Sequence, residues 1–218
     1  MSEAGPSPQK ALSEHDAKQL LATYGLPVSR ETVVATPDEA VVAAREIGHP
    51  TVVKLCGAQI LHKTELGGVR LGLVGDDAVR RAAAELLEKG PASAELLVAE
   101  QVAGNRELIA GVTNDPQFGP TLMFGVGGVF AEVLGDVVFR LLPTTDDELR
   151  AMIDDPANPQ FLGPVRGEPA VDREALVAAL AGLSACVADR EDIESIDVNP
   201  LIVADGKPVA VDALVVLR

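Results

Sequence analysis

The segment Lys54-Leu-Cys-Gly-Ala-Gln-Ile-Leu-His62-Lys63-Thr64-Glu65-Leu-Gly67-Gly68-Val69 puts a lysine inside an apolar, strand-like run. A histidine flanked by a lysine, a threonine and a glutamate follows, and then a glycine pair. Residues of these types can bind phosphate and also supply a nucleophile to receive it. A neutral imidazole, with an ordinary pKa near ~6.5, is a competent nucleophile at neutral pH. Phosphoryl transfer mainly needs positioning and charge neutralisation. Lys63 and nearby backbone N–H groups could neutralise the phosphate, and Glu65 could orient the His62 ring through its other nitrogen. The same string also reads as a surface histidine in a polar loop. Lys54 is equally open. An unpaired buried ammonium is costly, so either its strand lies at a sheet edge and the side chain reaches water, or it pairs with a bound anion.

A second set of oxygen-bearing side chains lies near the C-terminus. If Asp205-Gly206 is the centre of a hairpin turn, Asn199 lies opposite Asp212 and their side chains share a face. Asp197 points to that same face, since alternate residues of a strand do so. Three short oxygen ligands would then converge in otherwise apolar strands, a set that suits Mg2+ carrying nucleotide phosphates. The alternative is the outward polar side of a hairpin. A register slip of one residue, which Pro208 could favour, would separate Asn199 from Asp212. Gly67-Gly68 and Gly125-Val-Gly127-Gly128 are glycine-rich turns that let backbone amides approach phosphate, or simply tight β-turns. Neither has Walker A or dinucleotide-fingerprint spacing. Glu100 and Glu107 flank the turn Ala103-Gly104-Asn105 and fit either hydroxyl binding or solvated charge.

The elements that must position these residues can be read from periodicity and punctuation. Ser13-Glu-His15-Asp16 caps a helix carrying Ala17, Leu20, Leu21 and Tyr24, stopped by Gly25 and Pro27. Thr36-Pro37-Asp38-Glu39 starts a second helix, which ends at Gly48. Strands are expected over 51–55, 69–74, 95–102, 107–113, 121–125 and 132–142, with helices over 78–88, 144–153 and 172–188. The last helix presents Leu176, Ala179, Leu180, Leu183 and Val187 on one face. Residues 154–169 read as a Pro-rich loop, and 196–203 with 209–217 as the closing hairpin. The order is not a regular βαβ series; it predicts a mixed α/β (α+β) chain with antiparallel sheets. Residues 1–12 read as a flexible tail, and a break near 100–105 gives two lobes, 13–100 with Lys54 and His62 and 101–218 with the hairpin set. His15 falls in an exposed first helical turn and His49 precedes Pro50 in a loop, so both are expected to be structural or solvated.

The chain has 218 residues, 47% of them hydrophobic, and a net charge of −15 from 18 Lys and Arg against 33 Asp and Glu. It is globular rather than disordered. Nucleic acid and anionic membrane both need a basic face and are poor partners. The longest nearly uncharged apolar run, 120–131, is well short of the ~18 residues of a membrane span. Cys56 and Cys186 stand far apart in apolar contexts and read as buried thiols of a reducing, cytoplasmic protein.

Taken in order, these residues resemble an ATP-grasp domain, and most closely the β subunit of ADP-forming (NDP-forming) acyl-CoA synthetases such as acetate–CoA ligase, relatives of succinyl-CoA synthetase. The matching stretches run from about residue 13 to 216. They are Gly48-His-Pro-Thr-Val-Val-Lys54, His62-Lys-Thr-Glu-Leu-Gly-Gly-Val69, Glu107-Leu-Ile-Ala-Gly-Val112, Phe124-Gly-Val-Gly-Gly-Val129 with Glu132, Phe139-Arg140, Arg166-Gly167 and Ile196-Asp-Val-Asn-Pro-Leu201. The resemblance implies that Lys54 contacts ATP phosphates, that Glu100 and Val102 lie at the adenine and ribose edge, and that Glu107 reaches the ribose or nucleotide. Asn199 and Asp212 would hold Mg2+ with Asp197 nearby. His62 would carry phosphate between nucleotide and acyl sites, beside Lys63, Gly67 and Gly68. The turn with Gly127 and Gly128, together with Glu132 and Arg140, would line the phosphate path. The implied reaction is carboxylate + CoA + ATP ⇌ acyl-CoA + ADP + phosphate, with ATP or ADP as substrate and a separate CoA-binding α subunit as partner. A stand-alone ATP-grasp carboxylate ligase would share Lys54, Asn199 and Asp212 without needing His62. A non-catalytic nucleotide-sensing or scaffold domain is the remaining alternative.

Overall fold

A computed structural model of the protein describes residues 10–57, 60, 63, 66–128, 136–157, 159–165 and 167–218. His62, Glu65, Glu132 and Arg166 lie outside the described residues. The first part of the chain contains β1 (Lys10–Ala11), α1 (Glu14–Thr23), β2 (Glu31–Val34), α2 (Pro37–Ile47), β3 (Thr51–Cys56), β4 (Val69–Leu73), α3 (Asp76–Lys89) and β5 (Glu95–Glu100). The rest contains β6 (Glu107–Asp115), β7 (Gly119–Val126), β8 (Val137–Leu141), α4 (Asp146–Met152), a 3-10 turn (Pro159–Leu162), α5 (Arg173–Asp189), β9 (Ile193–Ala204), β10 (Lys207–Ala210) and β11 (Ala213–Leu217).

Among the described residues these strands form two antiparallel sheets. One has four strands in the order β2-β5-β3-β4; the other has seven, β1-β11-β9-β6-β7-β8 with β10 also paired to β9. On the smaller sheet, α2 begins with a complete capping box between Thr36 and Glu39, with Pro37 in its first turn. It buries Ala40, Val41, Ala43 and Ala44. With Val79, Ala83 and Leu86 of α3 they cover Val53, Leu55, Leu96 and Val98 of the sheet. The larger core packs Leu176, Leu180 and Leu183 of α5 onto Leu108, Ala110, Leu122, Phe124 and Val198. A fully buried aliphatic side chain of this kind contributes about 1.5–3 kcal/mol.

The start of the chain differs from its expected place. Lys10–Ala11 pairs with β11 rather than trailing as a tail, and Ala17 and Leu21 of α1 belong to the larger sheet's core rather than to the 13–100 lobe. The cause is local pattern meeting long-range fit: the apolar stripe of α1 needs a cover, and β11 and α5 supply it. Residues 31–34, absent from the expected strands although Thr32-Val33-Val34 are β-branched, form β2 against the edge of β5. Strand 132–142 is shorter than expected where described, Val137–Leu141, and the loop 154–169 contains the 3-10 turn. No helix among the described residues is long and apolar enough to cross a membrane.

Candidate functional site

The closing hairpin has the register that brings the oxygen ligands together. Lys207 pairs with Ala204 and Pro208 with Val203, so Asp205-Gly206 is the turn. Pro208 causes no slip: β10 pairs with β9 on one side, and the described contact on its other side is the Val28 bridge at Ala210, so Pro208 is not called on for a ladder N–H there. The Asn199 N–H donates to the Asp212 carbonyl at 3.3 Å. Asp197, Asn199 and Asp212 line one cavity of about 180 Å³ with Leu12, Glu14, Ile60 and Lys63. A second cavity, of about 290 Å³, is lined by Lys54, Val69, Leu71, Glu100, Val102, Glu107 and, again, Asp212. The two cavities therefore meet at Asp212.

Lys54 is not at a sheet edge, and its ammonium has a carboxylate partner within the chain while lining the larger cavity. Its strand is central, with Val69 of β4 opposite on one side and Leu97 of β5 on the other, and the residue is only 7% exposed. Its ammonium donates to Glu14 Oε1 at 2.6 Å and to the Val211 carbonyl at 2.7 Å. Glu14 also receives Lys18 on Oε1 at 2.9 Å and Lys63 on Oε2 at 2.7 Å. Lys63 in turn reaches Asp212 Oδ1 at 2.9 Å. Lys18 also pairs with Glu31, whose other oxygen meets His15 Nδ1 at 2.9 Å. His15 is thus half-buried against Glu31 rather than solvated; His49 is exposed.

The charges in this chain settle one another. Burial would raise the Glu14 carboxyl, but the attraction of Lys54, Lys18 and Lys63 outweighs it and holds the pKa at about 2. Lys54 moves below the ordinary lysine value because burial, with Lys18 adding to it, outweighs Glu14 and Asp212. Burial also opposes the charge on Lys63, though less deeply, and Glu14 and Asp212 hold it above that value. The two lysines share Glu14 but differ in their other neighbours: Lys63 bonds Asp212 directly, whereas Lys54 is more deeply buried and repelled by Lys18.

Asp197 stands in the opposite condition. Its carboxyl is pushed up, first by burial and then by the negative Asp212 nearby. A divalent cation would relieve both carboxylates, so the donor chemistry fits Mg2+: two carboxylates and the Asn199 amide oxygen, with water completing the shell. Among the described residues no group of three or more His, Cys, Asp and Glu side chains is placed to hold a metal ion; in this set the asparagine would be the third ligand.

The glycines act mainly by close approach. A Cβ on Gly68 would lie 2.8 Å from the Lys63 carbonyl, to which Gly68 N–H donates at 2.6 Å; this closes the loop that carries Lys63, and Gly67 beside it has φ +60°. Gly127 donates to the Glu107 carbonyl at 2.7 Å, and Gly128 packs against the Glu107 side chain, so this turn seats Glu107. Glu100 lines the larger cavity while its carboxylate accepts Arg30 N–H at 2.8 Å and Arg30 Nε–H at 2.9 Å. Arg140 pairs with Asp155 and lines neither cavity. Glu14, Lys18 and Glu31 escape the sequence reading, although positions 14, 17, 18 and 21 are one buried helical stripe and two of them are charged. That was the available signal.

Residues 3–217 match the model of a family described as the ATP-grasp domain. The chain is 41% identical to subunit β of the ADP-forming acetate–CoA ligase II of Pyrococcus furiosus, over 95% of this chain and 92% of that one. It belongs to the ATP-grasp family of ADP-forming acetate–CoA ligase β subunits. Among solved structures, it is similar to the dinucleotide-forming acetyl-coenzyme A synthetase 1 of Ca. Korarchaeum cryptofilum in complex with coenzyme A, Ca-AMPCP and HgCl+. The TM-score is 0.89 at 39% identity, covering 96% of this chain and 94% of that one. A second structure of that protein holds coenzyme A and Mg-AMPPCP, with a phosphohistidine segment pointing towards its nucleotide binding site. Its TM-score is 0.84 at 40% identity, covering 96% of this chain and 93% of that one. The ATP-grasp fold expected from the sequence is borne out.

Proposed function

We propose that the chain is the nucleotide-handling β subunit of an ADP-forming acyl-CoA synthetase. With a CoA-binding α subunit it would catalyse carboxylate + CoA + ATP ⇌ acyl-CoA + ADP + phosphate. The observation that carries this reading is the junction of two cavities at Asp212, one with Lys54, Glu100, Val102 and Glu107, the other with Lys63, Asp197 and Asn199. The nucleotide occupies the first cavity, base and ribose toward Glu100, Val102 and Glu107, phosphates toward Lys54. It lies between two lobes, residues 27–100 around the smaller sheet and the larger sheet with its helices. Asp197, Asn199 and Asp212 would hold Mg2+, which neutralises phosphate charge when bound.

His62, next to Lys63 in the chain, receives the γ-phosphoryl group. A ring nitrogen forms the bond to phosphorus as the bond to the leaving oxygen breaks, and ADP departs with the electron pair. The attacking nitrogen must be unprotonated. Lys63 balances the added negative charge, and Gly67 and Gly68 shape its loop. By resemblance alone, Glu132 and Arg140 would serve the phosphate path toward the partner, where the acyl phosphate and acyl-CoA chemistry would take place. A cytoplasmic setting suits the two buried free thiols, Cys56 and Cys186.

The test is incubation of the chain, with and without its partner subunit, with Mg2+ and ATP labelled in the γ-phosphate. The expected result is acid-labile label on the wild type and none on His62→Ala. Label that persists in His62→Ala, or a wild-type complex that takes up none, overturns the reading.

A further inference from the structure

We infer that Glu14 is a positioning residue for phosphoryl transfer, its one carboxylate holding the ammonium groups of Lys54 and Lys63 together where the two cavities meet. The inference rests on the reading that those lysines serve nucleotide phosphates. Oε1 takes Lys54 at 2.6 Å and Oε2 takes Lys63 at 2.7 Å. One lysine is on β3 and the other, Lys63, follows His62 in sequence, whereas Glu14 opens α1, which is anchored in the larger core through Ala17 and Leu21. Glu14 therefore ties two long side chains, one from β3 and one from the β3–β4 connection, to a fixed point on the larger sheet's core. It also lines the smaller cavity itself, beside Asp212.

Two buried ammonium groups converging on one site repel each other and lose hydration. With Glu14 between them, both are held in place and aimed without a ligand. Without it, bound nucleotide would have to order them at the expense of its own affinity. Lys18 supplies an internal control. It binds the same Oε1 at 2.9 Å and is fully buried, but it lines neither cavity and has Glu31 as a further partner. A purely structural role for the cluster makes Glu14 and Lys18 equivalent; a positioning role separates them.

The experiment is steady-state kinetics of the reconstituted complex with Glu14→Gln, Glu14→Asp and Lys18→Met, with thermal melts of each. Glu14→Gln is expected to raise KM for Mg-ATP by about 10- to 100-fold, the scale of lost charge-assisted contacts. The rate of His62 phosphorylation at saturating ATP should stay within about threefold. Glu14→Asp, one methylene shorter, should give an intermediate KM. Lys18→Met should lower the melting temperature while leaving KM within about twofold. A Glu14→Gln KM at or below the wild-type value overturns the inference, as does a Lys18→Met KM raised equally. If Glu14→Gln does not fold, Glu14→Asp decides: a raised KM supports the role and an unchanged one overturns it. Failure of the parent reading is distinct, because it appears as absent label on wild-type His62.

Discussion

The closing hairpin and the Glu14 cluster share Asp212, yet they are built by opposite means and left in opposite electrical states. In the hairpin, Asp197, Asn199 and Asp212 are set by one turn and one register, at the mouth of a cavity, with more negative charge than the chain offsets. In the cluster, partners arrive from 40 residues away, as Lys54 to Glu14, or 149 away, as Lys63 to Asp212, and every buried charge meets an opposite one. The ribbon can tolerate a deficit because solvent or a cation reaches it. The interior cannot, because an unpaired charge there costs several kcal/mol. The lesson is that ligand sites are legible as local shortages of countercharge, whereas buried ion networks are closed accounts that only the whole fold balances.

Several substitutions would break or sharpen this contrast. Asp212→Ala removes the shared residue and should lower label transfer to His62 by about a thousandfold or more; a loss under tenfold would detach the hairpin from the chemistry. Next, Glu14→Ala should cost about 3–5 kcal/mol in urea unfolding, since it leaves buried lysines without a partner. Asp197→Asn should stay within about 1 kcal/mol of wild type, because it removes a repulsion rather than a pair. Equal costs at the two sites would erase the distinction.

Acid offers a third comparison. Glu14 is held at about 2, below its ordinary 4.5, so folding favours its ionised form. That stabilisation is fully present above pH 4.5 and is lost as pH falls toward 2, a change on the order of 3 kcal/mol. Denaturant titrations across this window should show it in the wild type and not in Glu14→Gln. Asp197 shifts the other way and should oppose the slope slightly. The smallest effect belongs to Arg30→Ala. Its side chain is 66% exposed in its pair with Glu100, so stability should change by about 1 kcal/mol or less; a larger loss would mean that Arg30 also organises the cavity through Glu100.

Much of the framework could be read from local chemistry. Thr36-Pro37-Asp38-Glu39 specified the start of α2, and the Asp205-Gly206 turn specified which residues face one another across the hairpin. These signals are legible because caps, turns and strand alternation act over a few residues. Short β2 was not legible, since four residues are too few to show an alternation, and its pairing with β5 settles it despite the β-branched Thr32-Val33-Val34. Arg140 matched a sequence pattern, but its guanidinium is engaged by Asp155, a pairing that no spacing rule gives.

By itself the sequence determined the hairpin's register, the convergence of Asp197, Asn199 and Asp212, and the presence of a lysine inside an apolar strand, because backbone geometry fixes which way neighbouring residues point. Tertiary structure alone decided what that lysine does. It placed α1 on the larger sheet, brought Glu14 across to β3 and the loop of Lys63, and joined two cavities at one aspartate. Charge pairing in an interior depends on which distant surfaces are pressed together, and that is settled by packing two cores at once rather than by any local run of residues.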